Sequence, residues 1–327
     1  MTPSAGAERR PLLDAVDGAW LSAGLARVEA LLLQTAGGSA HPLVAEASTH
    51  LARAGGKRLR PALVLIASHA GEPGRRATDL AGAAIELVHL ASLYHDDVID
   101  QTVTRRGVPT VHSKWGVEVA VLSGDYLFAC GCGLGAEAGG EVPAILARAI
   151  AEVCEGQIVE TASVGDTART VEQYMATIGG KTAALFRAAC ELGATTSDAD
   201  AQARAALVDY GEALGLAFQM VDDLLDITGD ADVLGKEPGT DLKEGVFTLP
   251  ILLALEREPE LKAWLSDGRR LLSDVLPVLE RSRALEDALA AAGGQAQRAR
   301  AALGRLPEGP WRSALEKVVD SVMAQLS

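Results

Sequence analysis

Aromatic side chains are scarce in this chain: Phe, Trp and Tyr together make up only 4% of its 327 residues. Its core must therefore be built from aliphatic side chains. Alanine and leucine supply them, and apolar residues reach 48%. Runs of β-branched residues are also few, which favours helix over sheet. Cysteine is scarcer still. Cys130, Cys132, Cys154 and Cys190 form no C-x-x-C pair and have no histidine at zinc spacing, which excludes a zinc module. They read as small buried apolar residues in a reducing, cytoplasmic setting. Positive charge is in deficit, with 30 Lys and Arg against 44 Asp and Glu, a net charge of −14. Such a chain is a poor binder of nucleic acid or of an anionic membrane. If its substrates are anionic, clustered Lys and Arg or bound cations must meet their charge locally. Long apolar runs are missing too. None reaches 18 residues, so no transmembrane helix is expected, and the opening stretch MTPSAGAERRPLLDAVDG has no apolar signal core.

What is there is helical periodicity, nearly continuous from about Leu21, with residues 1–20 reading as a loose arm. Pro61 suits the first turn of a helix over 61–70. Further helices are predicted over 78–100, 117–138, 143–163, 171–192, 202–228 and 248–256. Joints rich in Gly and Pro separate them at 71–76, 105–110, 138–143 and 228–240. The tail, 265–327, reads as weaker helices broken at Gly293-Gly294 and LPEGP. Neither strand alternation nor a short repeat is found. No boundary stands out, so the expectation is an all-α fold, one large helical bundle over 21–327.

Two stretches break the apolar pattern of their helices. In IELVHLASLYHDDVID, Asp96, Asp97 and Asp100 form D-D-x-x-D near a helix C-terminus. Asp96 and Asp100, four apart, share a face, and the negative end of the helix dipole adds to their mutual repulsion. A local stability rule is broken, which often marks function. In AFQMVDDLLDI, Gln219, Asp222, Asp223 and Asp226 stand at i, i+3, i+4 and i+7, one polar stripe on an apolar helix. One such motif has a bland reading as a solvated face; two on apolar helices do not. Hard oxygens at this spacing suit Mg²⁺, which takes a few carboxylates, water and substrate phosphate. An EF-hand reading of Asp230, Asp232 and Gly235 fails, because Leu234 sits where an oxygen ligand belongs.

Basic groups in glycine company answer these acids. GGKRLRP at 55–61 carries Lys57, Arg58 and Arg60 behind two glycines, without Walker A spacing. Arg105-Arg106-Gly107 follows the first acidic helix, Gly180-Lys181-Thr182 lies in a helical region, and Lys236 follows the second acidic helix. Taken singly, each reads as ordinary surface. Together, beside two acidic stripes, they suit a diphosphate. GCGLG at 131–135 imitates a dinucleotide fingerprint, but no strand precedes it. Small residues that let helices pack closely are the better account.

With these motifs in order — GGKRLRP, LYHDDVID followed by RRG, GKT, FQMVDDLLD and GKEPGTDLKEG…TLP — the chain resembles the trans-prenyl diphosphate synthase (polyprenyl synthetase) family from about residue 20 to 260. The resemblance implies antiparallel helices around a deep apolar cavity and a homodimer, with 117–138 as the candidate contact. It also implies about three Mg²⁺ per active site, held by Asp96, Asp97, Asp100, Asp222, Asp223 and Asp226. By position, Lys57, Arg60, His89 and Arg106 would hold isopentenyl diphosphate. Arg105, Lys181, Thr182, Gln219 and Lys236 would surround the allylic diphosphate, with Lys181, Thr182 and Arg105 closest to the chemistry. Many relatives carry Lys where this chain has Val246, and that lost cation bears on diphosphate affinity or product release.

The implied reaction ionises the allylic diphosphate, isopentenyl diphosphate attacks the cation, and the released diphosphate takes the proton. Ala91 and Ser92, a turn before Asp96, would form the floor for the growing chain, with Val88 and Leu87 a turn deeper. Short-chain members place Phe or Tyr there. Since one helical turn rises about 5.4 Å, comparable to one isoprene unit, small residues imply products of roughly C30 to C50, with C20 as the runner-up. A terpene cyclase would lack the second D-D-x-x-D and GGKRLRP. A non-catalytic subunit of a hetero-oligomeric synthase would have lost aspartates or basic groups.

Overall fold

The computed structural model describes residues 13, 16, 18–229 and 237–326. The all-α expectation holds. Prolines open several helices, where a missing N–H costs nothing: α2 (Pro42–Arg53), α12 (Leu249–Arg257), α13 (Pro259–Ser266) and α16 (Pro310–Met323). The chain divides into two compact units: 1–150 with 188–208 and 305–318, and 151–187 with 209–304 and 319–327.

In the first unit the central element is α4 (Arg76–Ile99), two residues longer at its start than the sequence pattern suggests. It packs against α1 (Ala19–Ala36), α3 (Leu59–Ala67) and α6 (Val117–Ala138). Leu80, Ala84, Ile85, Leu87, Val88 and Ala91 of α4 are all buried. Residues 131–135 lie inside α6; a Cβ on Gly131 would stand 3.1 Å from the Ala84 carbonyl and one on Gly135 2.5 Å from Leu146, so these two serve close helix packing, while Gly133 faces open space. By length and composition α6 could cross a membrane, yet Ser123, Gly124, Leu127 and Gly131 are buried in this unit. Part of the expected loose arm falls outside the described residues; Leu13 and Val16, which are described, are buried, and α1 begins at Ala19.

The joint at 105–110 is a hairpin. β1 (Thr104–Arg105) pairs antiparallel with β2 (Val108–Pro109) across Arg106 and Gly107, at φ 53° and 74°. Two consecutive positive φ values are what a two-residue type I′ connection requires, and they fix Arg106 in a left-handed conformation.

In the second unit, α12 packs on α15 (Ala284–Leu303), α13, α14 (Leu272–Arg281) and α8 (Val171–Ile178). A reciprocal capping box starts α8: the Thr170 hydroxyl accepts from the Gln173 amide and the Gln173 side chain from the Thr170 amide. The helix predicted over 171–192 is interrupted by a π turn at Gly179–Ala183 before α9 (Ala184–Thr196) resumes. Here α7 (Val142–Ala162) comes close: a Cβ on Gly180 would stand 2.8 Å from the Glu152 carbonyl. π turns of this kind gather at functional sites.

One reading of the sequence is overturned. Of the four cysteines only Cys190 is buried; Cys130 is half-buried and Cys132 and Cys154 are exposed. Both exposed thiols lie on helices whose outward faces also show aliphatics, Leu122 on α6 and Ile158 on α7 among them. Hydropathy reveals that a residue is apolar, not which face of its helix is covered.

Candidate active site

In the first unit the loop GGKRLRP is anchored by the member to which the sequence assigned no role. Arg58 is 4% exposed; its guanidinium bonds Glu29 at 2.7 Å, Glu86 at 3.1 Å and the Ala52 carbonyl at 2.8 Å. These bonds fasten the loop to α1 and α4. Gly56 has φ 150°, and a Cβ there would meet the Arg106 guanidinium carbon at 2.8 Å. Arg106 in turn donates to the Leu51 carbonyl at 3.1 Å and to the Gly55 carbonyl. Lys57 is exposed and Arg60 half-buried. Burial pulls the Arg60 pKa down to about 10; Glu86 opposes the shift and Arg106 adds to it. His89 is held well below its ordinary value by burial and by the charges of Arg60, Arg106, Arg105 and Arg58. The structure therefore gathers Arg60, His89 and Arg106 into one electropositive cluster with Lys57 on the same loop.

On α4 the three aspartates part company. Asp97 is 1% exposed and takes the Arg105 Nε at 2.5 Å, while its Oδ2 has no hydrogen-bond partner among the described residues. Burial raises the Asp97 pKa, and the Arg105 charge and hydrogen bond oppose the rise. Asp96 is half-buried and Asp100, the residue that caps the helix, is exposed. One turn upstream Ala91 is fully buried, and the Ser92 hydroxyl donates to the His89 carbonyl at 2.9 Å.

The second unit repeats the device. On α10 (Ala201–Thr228) Asp223 is 3% exposed. The Tyr174 hydroxyl donates to its Oδ2 at 2.6 Å and the Gln219 amide to its Oδ1 at 2.8 Å, while Thr182 Oγ1 donates to Gln219 Oε1 at 2.7 Å. Burial lifts the Asp223 pKa to about 8 against those hydrogen bonds, and the charges of Asp241 and Asp222 add to the rise. Asp226 is also buried and accepts from the Asp241 amide at 3.2 Å. Of the polar stripe only Asp222 is exposed; Gln219 is half-buried. The Lys181 ammonium pairs with Glu160. Lys236 lies outside the described residues, as do Asp230, Asp232 and Gly235.

Sequence reasoning missed Arg58, Glu160 and Tyr174. Arg58 lay inside a motif already singled out, and a capping box placed Tyr174 on a helix. No local pattern marked Glu160. Among the described residues no three acidic, His or Cys side chains gather as a ready metal cage. The hard oxygens of half-buried Asp96 and of exposed Asp100 and Asp222 nonetheless fit Mg²⁺, whose shell is commonly completed by water and phosphate.

Comparison with known proteins gives a consistent picture. The pattern of the family described as Polyprenyl synthetase matches residues 41–274. The nonaprenyl diphosphate synthase of Mycobacterium tuberculosis is 39% identical over 332 residues, covering 99% of each chain. A decaprenyl diphosphate synthase from Rhodobacter capsulatus superposes with a TM-score of 0.89 at 37% identity, covering 97% of this chain and 98% of that one. A polyprenyl synthase from Caulobacter crescentus, solved with calcium and isoprenyl diphosphate, gives 0.86 at 36% identity, covering 96% and 97%.

The Tyr174–Asp223 bond yields a prediction. Tyr174→Phe removes one of two donors to a buried carboxylate and should cost about 1–3 kcal/mol of stability. Urea unfolding followed by circular dichroism measures it; an unchanged midpoint would show that the hydroxyl does not hold Asp223.

Proposed function

Because the chain belongs to the polyprenyl synthetase family, we propose that it is a prenyl diphosphate synthase, a transferase that condenses isopentenyl diphosphate with an allylic prenyl diphosphate into an all-trans chain of roughly C30 to C50. The observation that carries the reading is the repeated device: on each of two helices the second aspartate of D-D-x-x-D is buried and fastened to protein donors. Asp96 and Asp100 in one motif and Asp222 in the other remain toward solvent.

Lys57, Arg60 and Arg106 hold isopentenyl diphosphate, with His89 as a neutral hydrogen-bonding neighbour. Arg105, Lys181, Thr182, Gln219 and Lys236 hold the allylic diphosphate. Arg105 and Lys181 offset the charge that grows on the leaving group as its C–O bond breaks. The double bond of isopentenyl diphosphate forms the new C–C bond, and the departing diphosphate carries off the proton. Asp96, Asp100, Asp222 and the more buried Asp226 would hold about three Mg²⁺, which would supply electrostatic stabilisation for a departing diphosphate. Asp97 and Asp223, which the family resemblance places among the metal-holding residues, take the role of fixing their helices. The setting is cytoplasmic, in keeping with four unbridged thiols.

Asp96→Ala or Asp222→Ala should cost roughly 4 kcal/mol of transition-state stabilisation, about a thousandfold in rate, and chelator should abolish diphosphate release by the wild type. A purified Asp96→Ala enzyme with near wild-type turnover would sink the assignment.

A second copy of the chain is the partner we propose. Val117 and Leu122 of α6 are 51% and 66% exposed, an apolar surface that a dimer would cover. Light scattering should return a homodimer at micromolar concentration. A monomer that works only after a different chain is added would replace this with a hetero-oligomer.

Chain length should respond to Ala91. Phe in its place, or at Ser92, should shorten the product to C15 or C20 by closing roughly one turn of the path, with the first condensation still fast. Product distributions unmoved by either substitution would place the floor elsewhere.

A further inference from the structure

Position 246, where a cation is missing, is bracketed by a loop that brings one. The Val246 amide donates to the Asp241 carbonyl at 2.8 Å, and the side chain is half-buried. On one side the Gly165 amide donates to the Gly245 carbonyl at 2.8 Å; on the other Arg169 Nη1 reaches the Phe247 carbonyl at 3.4 Å. Residues 165–169 are thereby stitched to residues 245–247.

Arg169 is 6% exposed, and its Nε and Nη2 are buried without a hydrogen-bond partner among the described residues. Its guanidinium carbon stands 5.8 Å from the Tyr174 ring centroid. Glu160, Tyr174, Asp223 and Asp166 all act on its charge. Two of these acids are engaged elsewhere: Glu160 with Lys181, and both Asp223 oxygens with Tyr174 and Gln219. A buried guanidinium with unmet donors is costly unless an acceptor arrives, and its planar fork matches phosphate oxygens.

We propose that Arg169 supplies the cation that position 246 lacks, donating through Nε and Nη2 to the diphosphate held at the second acidic motif. This rests on the function proposed above. Arg270 is the competing candidate: its guanidinium lies 5.6 Å from the Phe247 ring centroid and its Nε also has no hydrogen-bond partner among the described residues.

The test is calorimetric titration of the full-length protein with magnesium and inorganic diphosphate, beside Michaelis constants for each substrate. Arg169→Gln should weaken diphosphate binding about tenfold and raise the allylic Michaelis constant similarly, leaving that for isopentenyl diphosphate within about twofold. Adding Val246→Lys to Arg169→Gln should restore most of the loss. Val246→Lys alone should gain less than about twofold, because the place is filled; this arm stands even if Arg169→Gln does not fold. Unchanged binding by Arg169→Gln, a tenfold gain from Val246→Lys alone, or the same loss from Arg270→Gln instead would each overturn the assignment. A wild type that binds magnesium diphosphate but makes no prenyl product would remove the proposed function while leaving Arg169 in place.

Discussion

Both acidic motifs depend on the burial of their second aspartate. A helix carrying three carboxylates in little more than one turn repels itself, and at its C-terminus the dipole makes this worse. Here the second carboxylate of each motif is withdrawn from the surface and tied to protein donors. Arg105 holds Asp97, and Tyr174 with Gln219 holds Asp223. Withdrawal sets the rotation of each helix about its axis, which leaves Asp96 and Asp100, and Asp222, directed toward solvent. It also links acid to base: Arg105 belongs to the hairpin that presents Arg106, and Gln219 reaches Thr182 beside Lys181.

The two bindings are not equivalent. Asp97 meets a full positive charge, which opposes the upward push of burial on its pKa. Asp223 takes its hydrogen bonds from neutral donors, and burial, with the charges of Asp241 and Asp222 added, lifts its pKa to about 8 against those bonds. A cation bound nearby would relieve that second site more than the first, since it would supply the counter-charge that neutral donors cannot. The basic cluster of the first unit shows the converse situation. Arg58, Arg60, Arg105 and Arg106 crowd His89 in a chain whose net charge is −14. Local concentration of cations is how so acidic a protein can receive an anion.

Helix positions were legible in the sequence because apolar periodicity and proline punctuation report local preferences. Pro61 falls in the first turn of α3, and the predicted 78–100 became α4 at 76–99. The two aspartate motifs were legible for the opposite reason, as acids where the pattern demanded apolar residues. What escaped was tertiary in origin. The π turn at 179–183 lies where α7 approaches closely. The Tyr174 and Glu160 contacts join residues 49 and 21 positions apart, respectively. The exposure of Cys132 and Cys154 depends on which helix faces are covered. The inequality among Asp222, Asp223 and Asp226 follows from packing against α8 and the 239–241 turn, which no spacing rule contains.

What the intact enzyme makes is the most direct measure of its reaction. Purified protein supplied with Mg²⁺, isopentenyl diphosphate and a C15 allylic diphosphate should give linear prenyl diphosphates whose masses rise by one isoprene unit and end at roughly C30 to C50. A cyclic hydrocarbon formed without uptake of isopentenyl diphosphate, or no product beyond the primer, would contradict it.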